Sequence, residues 1–309
     1  MPPVPVCWRA HDRCPCSVCQ HHKVHGKAHP ELPTLHDWEY HGPKGPANWN
    51  LIEGVVDTGK QSPVDFVDTT LQFPRTEFTP SIHYHNAPAA MDSETEPMGV
   101  TMSVGETPDA CHPVQLHVEN TGHSVQINFP LSHDDAEVKP GGYVLLRGKK
   151  FHLKQIHFHA PAEHRTHGKI HRMEAHFVHA SDAGTLLVIG IFLDVAEEQH
   201  TESATFLDFV LEQEVPKEKG DARHHAVHEM DLEAAARVIR DSESYYSYEG
   251  SLTTPPLSEG VHWIVCSDAV PVKHELIVAI EAGLPKGNYR PAKSSKAYPR
   301  PTKLTAKEE

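Results

Sequence analysis

Short apolar runs separated by turn-prone pieces dominate the chain from Trp38 onward. "PVQLHVEN" (113–120), "HSVQINF" (123–129), "YVLLRG" (143–148), "FHLKQIHFH" (151–159), "MEAHFVHA" (173–180) and "LLVIGIFL" (186–193) are rich in Val, Ile, Leu and Phe, and each predicts a strand. Several follow one another closely through Gly, Asn or His-Gly turns, which favours antiparallel neighbours. Helical spacing is scarcer. "SATFLDFVLEQE" (203–214) places Phe206, Phe209, Val210 and Gln213 on one face. "DLEAAARVIRD" (231–241) opens on an Asp suited to cap a helix, and "PVKHELIVAIEAG" (271–283) runs from Pro to Gly as helices often do. The expectation is a mainly β, α+β fold: one domain on a large, mostly antiparallel, twisted central sheet with a few surface helices.

Alternation within two of these runs carries chemistry. Read as a strand, residues 154–161 put Gln155, His157, His159 and Pro161 on one side and Ile156 and Phe158 on the other. Two imidazoles then emerge side by side above an apolar pair. An isolated H-x-H more often means two surface histidines. A second run, 173–180, puts Glu174, His176 and Val178 on one face and Ala175, Phe177 and His179 on the other. The twelve residues between the runs suffice for a turn, so an antiparallel pair brings His176 toward His157 and His159. Three imidazoles with an open fourth position are the catalytic type of zinc site; a structural site is closed by four protein ligands. Bound imidazoles need a partner for the other ring nitrogen, and Gln155 and Glu174 share the appropriate faces.

Composition narrows the class. The 309 residues suffice for one large domain, and 38% hydrophobic with 23% charged residues is ordinary for a folded chain. A net charge of −14 argues against nucleic acid or an anionic membrane surface as partner. The longest apolar run is far too short to cross a bilayer, and the N-terminus has no apolar core of signal-peptide length, so the expected compartment is the cytoplasm. Cys7, Cys14, Cys16 and Cys19 crowd the start while Cys111 and Cys266 stand alone, which is no disulfide framework. Three parts are expected: a Cys/His/Pro-rich extension over 1–33, a domain over 34–304, and a loose tail over 305–309. The N-terminal cluster fits no definite ligand pattern; a second metal, internal disulfides or no structure all remain open for it.

Beyond "FHLKQIHFHAPAEH" and "MEAHFVH", the chain carries "GKQSPVDF" (59–66), "NTGHSVQINF" (120–129), "YEGSLTTPPLSEGVHWIV" (248–265) and "NYRP" (288–291). In this order, over about 36–304, they resemble the α-class carbonic anhydrases. The resemblance implies Zn2+ on His157, His159 and His176, with Gln155, Glu174 and Asn288 supporting the rings. It implies reversible hydration of carbon dioxide to bicarbonate by zinc-bound hydroxide, with no organic cofactor. Thr253 would orient the hydroxide and pass its own proton to the buried Glu163, and Thr254 would contact bicarbonate. His123 would shuttle the proton to buffer, through water ordered by Tyr40, Thr121 and Gln126; Thr121 departs from the Asn often found there. Val178, Val188, Leu252, Val261 and Trp263 would wall the carbon dioxide pocket, although ordinary core residues would look the same. The disulfide of many secreted members is missing, since neither "VVDTGKQSPV" nor "PPLSEGVHW" contains cysteine. A catalytically weak zinc-binding or matrix protein on the same fold is the alternative. Such relatives typically lose zinc ligands, and a matrix protein would add acidic or repetitive tracts. The only partner expected is the small-molecule substrate; the sequence leaves the oligomeric state open.

Overall fold

The computed structural model describes residues 32–67, 72–74, 80–84, 115–129, 141–196, 205–208, 210, 215–226, 230–294 and 302–305. The N-terminal cysteine cluster, Cys111 and the last four residues lie outside them. Strands are the main regular element of the described chain: β1 (Val64–Phe66), β2 (Gln72–Pro74), β3 (Ser81–His83), β4 (Gln115–Asn120), β5 (Val125–Asn128), β6 (Tyr143–Leu146), β7 (Lys149–His159), β8 (Arg165–Thr166), β9 (Met173–Ala180), β10 (Leu186–Val195), β11 (Ala222–Ala226), β12 (Ser244–Ser251), β13 (Glu259–Val272), β14 (Lys293–Ser294) and β15 (Thr302–Thr305). Twelve of them form one sheet, with the order β11-β4-β5-β7-β9-β10-β13-β12-β15-β2, while β6 pairs with β7 and β3 with β6. Its pairings are antiparallel except β10–β13 and β15–β2. The expected mainly β architecture is therefore what forms. A small parallel sheet, β14-β1-β8, ties the chain near its C-terminal end to the segment before Phe66.

Side-chain alternation divides the sheet's two faces. Ile156 and Phe158 of β7, Ala175 and Phe177 of β9, and Leu187, Ile189, Ile191 and Leu193 of β10 enter the main core. Helix α1 (Leu232–Asp241) and helix α2 (His274–Glu281) pack there through Leu232, Ala235, Ile239, Leu276 and Ile280. Each Leu, Ile and Phe side chain among them contributes roughly 1.5–3 kcal/mol by leaving water. Asp231 caps α1 as expected, its carboxylate accepting the Ala234 N–H at 2.8 Å. Helix α2 starts later than its sequence suggested: Pro271 and Val272 still belong to β13, and Lys273 is the capping position. A proline suits the end of a strand as well as the start of a helix, and here the parallel ladder to β10 extends the strand to Val272. Of the helix expected over 203–214, the described part comprises a 3-10 turn at Thr205–Leu207 followed by the α-helical Val210. No helix among the described residues is long and apolar enough to cross a membrane.

One irregularity sets the phase of the functional strand. In β7, Phe151 and Leu153 point into the main core, yet so do Ile156 and Phe158. The switch from odd to even positions occurs at a β-bulge, where Leu153 and Gln155 oppose the consecutive residues His179 and Val178 of β9. The extra residue, Lys154, turns Gln155, His157 and His159 to the face opposite the main core.

Candidate metal centre

Strands β7 and β9 are antiparallel, with His157 directly opposite His176 and His159 opposite Glu174. The three imidazoles converge as the alternation predicted: their centroids lie 4.7–5.0 Å apart, and one ring nitrogen from each falls within 4.8 Å of the others. The His176 Nδ1 to His157 Nε2 separation is 3.3 Å. Two donors about 2.0–2.1 Å from one tetrahedral ion sit at about this spacing.

The remaining ring nitrogens are held by neighbours. Gln155 Oε1 lies 2.8 Å from His157 Nδ1, and Glu174 Oε1 lies 2.9 Å from His176 Nε2. Asn288 serves His159 through its main chain: its carbonyl oxygen is 2.6 Å from His159 Nδ1. The Asn288 side chain instead pins the end of β7, accepting the Ala160 N–H and donating to the Phe158 carbonyl, both at 2.8 Å. These contacts fix the tautomers so that the lone pairs of His157 Nε2, His159 Nε2 and His176 Nδ1 face inward. Burial, together with His159 and His176 nearby, holds His157 well below the usual histidine pKa. Burial likewise lowers His159. Neutral imidazoles are the form that binds metal.

The donor set fits a zinc ion by a further observation. His159 Nε2 is buried with no hydrogen-bond partner, although buried polar atoms normally find one. Glu163 Oε2, 3.5 Å away, is equally unpartnered. A cation among the three nitrogens would satisfy the imidazole lone pair.

Glu174 organises more than His176. Its Oε1 also accepts from His164 Nδ1 at 2.7 Å, while its Oε2 takes the main-chain N–H groups of Glu163 and His164 at 2.9 and 2.8 Å. His164 Nε2 continues to the Tyr248 hydroxyl at 2.5 Å, and Tyr248 donates to Ser62 Oγ at 2.8 Å. Burial opposes ionisation of Glu174, but His164 and His176 hold its carboxyl well below the ordinary range. The role of His164 escaped the sequence reading, although it sits beside Glu163, because nothing in a one-dimensional pattern says that it shares a carboxylate with His176.

The other expected residues fall around this centre. Glu163 is buried, its Oε1 accepting the Arg290 N–H at 2.8 Å. Thr253 is buried in the loop that follows β12, and Leu257 N–H closes that loop on the Thr254 carbonyl. The bond expected from Thr253 to Glu163 is not formed, since Glu163 Oε2 faces His159 instead. Val188, Val261 and Trp263 form one apolar cluster against which Val178 and Leu252 pack. Trp263 brings that wall to the metal centre, its ring 4.8 Å from His176. His123 is half-buried and stacks on Trp38, with centroids 3.7 Å apart and planes inclined by 13°. Burial and the nearby Lys219 lower its pKa, against the pull of Glu39. Tyr40 lies beside it, with a buried hydroxyl that has no partner. Gln126 is opposite His157 on β5 and donates to Asn128 Oδ1. Thr121 differs from expectation: its hydroxyl donates to the Ser124 carbonyl and accepts the His123 and Ser124 N–H groups, so it is engaged in building the turn. Trp38 was the other residue missed; only the fold brings it under His123.

Three histidines on adjacent strands of a large, mostly antiparallel sheet, with a carboxylate, an amide and a main-chain carbonyl behind them, form a donor set that could hold one metal ion on a mainly β fold. A family model described as eukaryotic-type carbonic anhydrase matches residues 101–304, and the chain belongs to that family. A carbonic anhydrase of Nostoc sp. is 29% identical over 82% of this chain and 81% of its own length. Human carbonic anhydrase 7 is 30% identical over 76% of this chain and 81% of its own length. Among solved structures, an α-carbonic anhydrase from Thermovibrio ammonificans, in complex with the inhibitor sulfanilamide, superposes with a TM-score of 0.62 at 28% identity, covering 87% of this chain and 98% of that one. The chain is thus an enzyme of the carbonic anhydrase type.

Proposed function

We propose that the chain catalyses the zinc-dependent, reversible hydration of carbon dioxide at His157, His159 and His176, with His123 as the proton carrier. The observation that supports this most directly is the unpartnered, buried Nε2 of His159 among imidazoles whose other nitrogens are all engaged. Zinc in this position supplies Lewis acidity that brings a coordinated water's pKa near neutrality, as the carbonic anhydrases themselves exemplify.

The protein's own residues do the rest. Glu174, Gln155 and the Asn288 carbonyl hold the three rings at fixed orientation, so little reorganisation is needed during turnover. Val178, Val188, Leu252, Val261 and Trp263 offer an apolar wall to a small apolar substrate and keep bulk water from it. Glu163 Oε2 is unpartnered, and a turn of its carboxyl away from His159 would let it accept from the Thr253 hydroxyl, leaving Thr253 Oγ1 to accept a hydrogen bond from the attacking oxygen and so aim that oxygen's lone pair. A ring nitrogen of His123 takes the released proton; its lowered pKa keeps the ring neutral, and so able to accept, at physiological pH. Thr254 lies beside Thr253 to meet bicarbonate.

The test is metal analysis with carbon dioxide hydration on the purified chain and on His159→Ala. The parent should hold one zinc in this centre and hydrate carbon dioxide; the variant should lose both. A variant that keeps tight zinc and full turnover overturns the ligand assignment, and a zinc-loaded parent without hydration favours the binding-protein alternative.

A further inference from the structure

The backbone constellation of the metal centre occurs a second time in the same sheet. In the centre, His157 and His159 lie two apart on β7, and His176 is directly opposite His157 on β9. On β4, His117 and Glu119 lie two apart, and His224 is directly opposite His117 on β11. The cross-strand ring pairs match: the His117 and His224 centroids are 4.8 Å apart with planes at 76°, against 5.0 Å and 88° for His157 and His176. Glu119 takes the place that His159 occupies in the first set.

Two of the three side chains already lie at ligand spacing, and the third, His224, would have to turn its ring to join them. His117 Nε2 lies 3.5 Å from Glu119 Oε2, about the separation of two donors on one tetrahedral ion of 2.0–2.2 Å bond length. Glu119 is fixed from behind, because Asn128 Nδ2 donates to its Oε1 at 2.9 Å and so turns Oε2 toward His117. Gln126 in turn donates to Asn128 Oδ1 at 2.6 Å, which fixes the amide. This is the kind of outer support that metal-ligating groups have. His224 is exposed, so its ring can turn toward the pair without disturbing the core. The net charge of −14 favours a cation here.

We propose that His117, Glu119 and His224 form a second, surface-exposed site for a divalent transition-metal ion of the imidazole-preferring kind, separate from the catalytic centre. Two imidazoles and a carboxylate are a ligand set for zinc or nickel, with the outer positions left to water. A bound ion clips the edge strand β11 to β4, so its first effect is on the stability of that edge.

The probe is Ni2+, titrated into the full-length, zinc-loaded enzyme and into His224→Ala and His117→Ala. The parent should take up one more equivalent of Ni2+ than either variant, by calorimetry. In the parent alone, Ni2+ should broaden the amide NMR signals of residues 117–119 and 222–224 and raise the melting temperature by a few degrees. Carbon dioxide hydration should be equal in all three, which also reports that the variants fold. Glu119→Gln should weaken the extra equivalent at least tenfold. Equal uptake by parent and variants, or broadening absent from β4 and β11, overturns the proposal.

Discussion

Replacing Glu174 by Gln tests how the metal centre is held. The carboxylate accepts four hydrogen bonds, two at each oxygen, from His164 Nδ1, His176 Nε2 and the main-chain N–H groups of residues 163 and 164. An amide has only one accepting end. If its NH2 faces the main chain, two backbone donors lose their acceptor and cannot reverse. If it faces the imidazoles, His176 must accept at Nε2 and carry its proton on Nδ1, the atom needed for metal. Hydrogen bonds to a charged group are worth about 1.5–3 kcal/mol each, so losing two costs about 3–6 kcal/mol of stability. The second orientation lowers zinc affinity instead, by about 10–100-fold. Urea unfolding of the zinc-free proteins gives the first quantity, and competition with a chelator gives the second. A variant within about 1 kcal/mol of the parent, with unchanged zinc affinity, would refute the argument, because no orientation of the amide preserves both.

Three further outcomes follow from other residues. His123→Ala should lower kcat, leave kcat/KM nearly unchanged and recover in imidazole buffer; a defect in kcat/KM would assign the shuttle elsewhere. A Cβ at Gly190 would lie 2.8 Å from Glu174 Oε1, so Gly190→Ala should displace that carboxylate and cost about 1–3 kcal/mol together with zinc affinity, and unchanged values for both would rule out the contact. His179, whose pKa burial drops to about 3, stays neutral between the Tyr84 hydroxyl and the Leu187 carbonyl. The unfolded chain protonates this ring near pH 6.5, so its stabilisation is complete above that pH and fades as pH falls toward 3, by about 1.4 kcal/mol per unit. Stability at pH 5 relative to pH 7 should therefore fall about 2 kcal/mol less in His179→Gln than in the parent, and equal slopes would contradict the assignment.

The convergence of the three histidines was legible because strand alternation is local: Ile156 and Phe158 must be buried, and that alone turns His157 and His159 the other way. The same rule started four residues earlier would have failed. Phe151 and Leu153 are also buried, and only the bulge at Lys154 reconciles the two phases. Its position depends on pairing with β9 and leaves no mark in the run "FHLKQIHFH". The long-range parts were hidden for a related reason. Arg290 reaching Glu163, Trp38 stacking on His123 and Tyr248 joining His164 to Ser62 each connect residues far apart in the chain. Pro271 misled because proline is compatible with both a strand end and a helix start, and the parallel ladder to β10 decided between them.

The place of β7 and β9 in the sheet has a kinetic consequence. Each has hydrogen-bonded neighbours on both sides: β7 lies between β9 and the pair β5 and β6, and β9 lies between β7 and β10. Fraying from an edge cannot reach these strands without first peeling away several others, so their amides belong to the part of the molecule that exchanges with solvent deuterium only on global opening. The imidazoles therefore cannot separate by partial melting of the ladder. An ion held there would have to leave past rings that stay in place, one bond at a time, and its residence time would be set by side-chain rotation against Gln155, Glu174 and the Asn288 carbonyl rather than by breathing of the backbone.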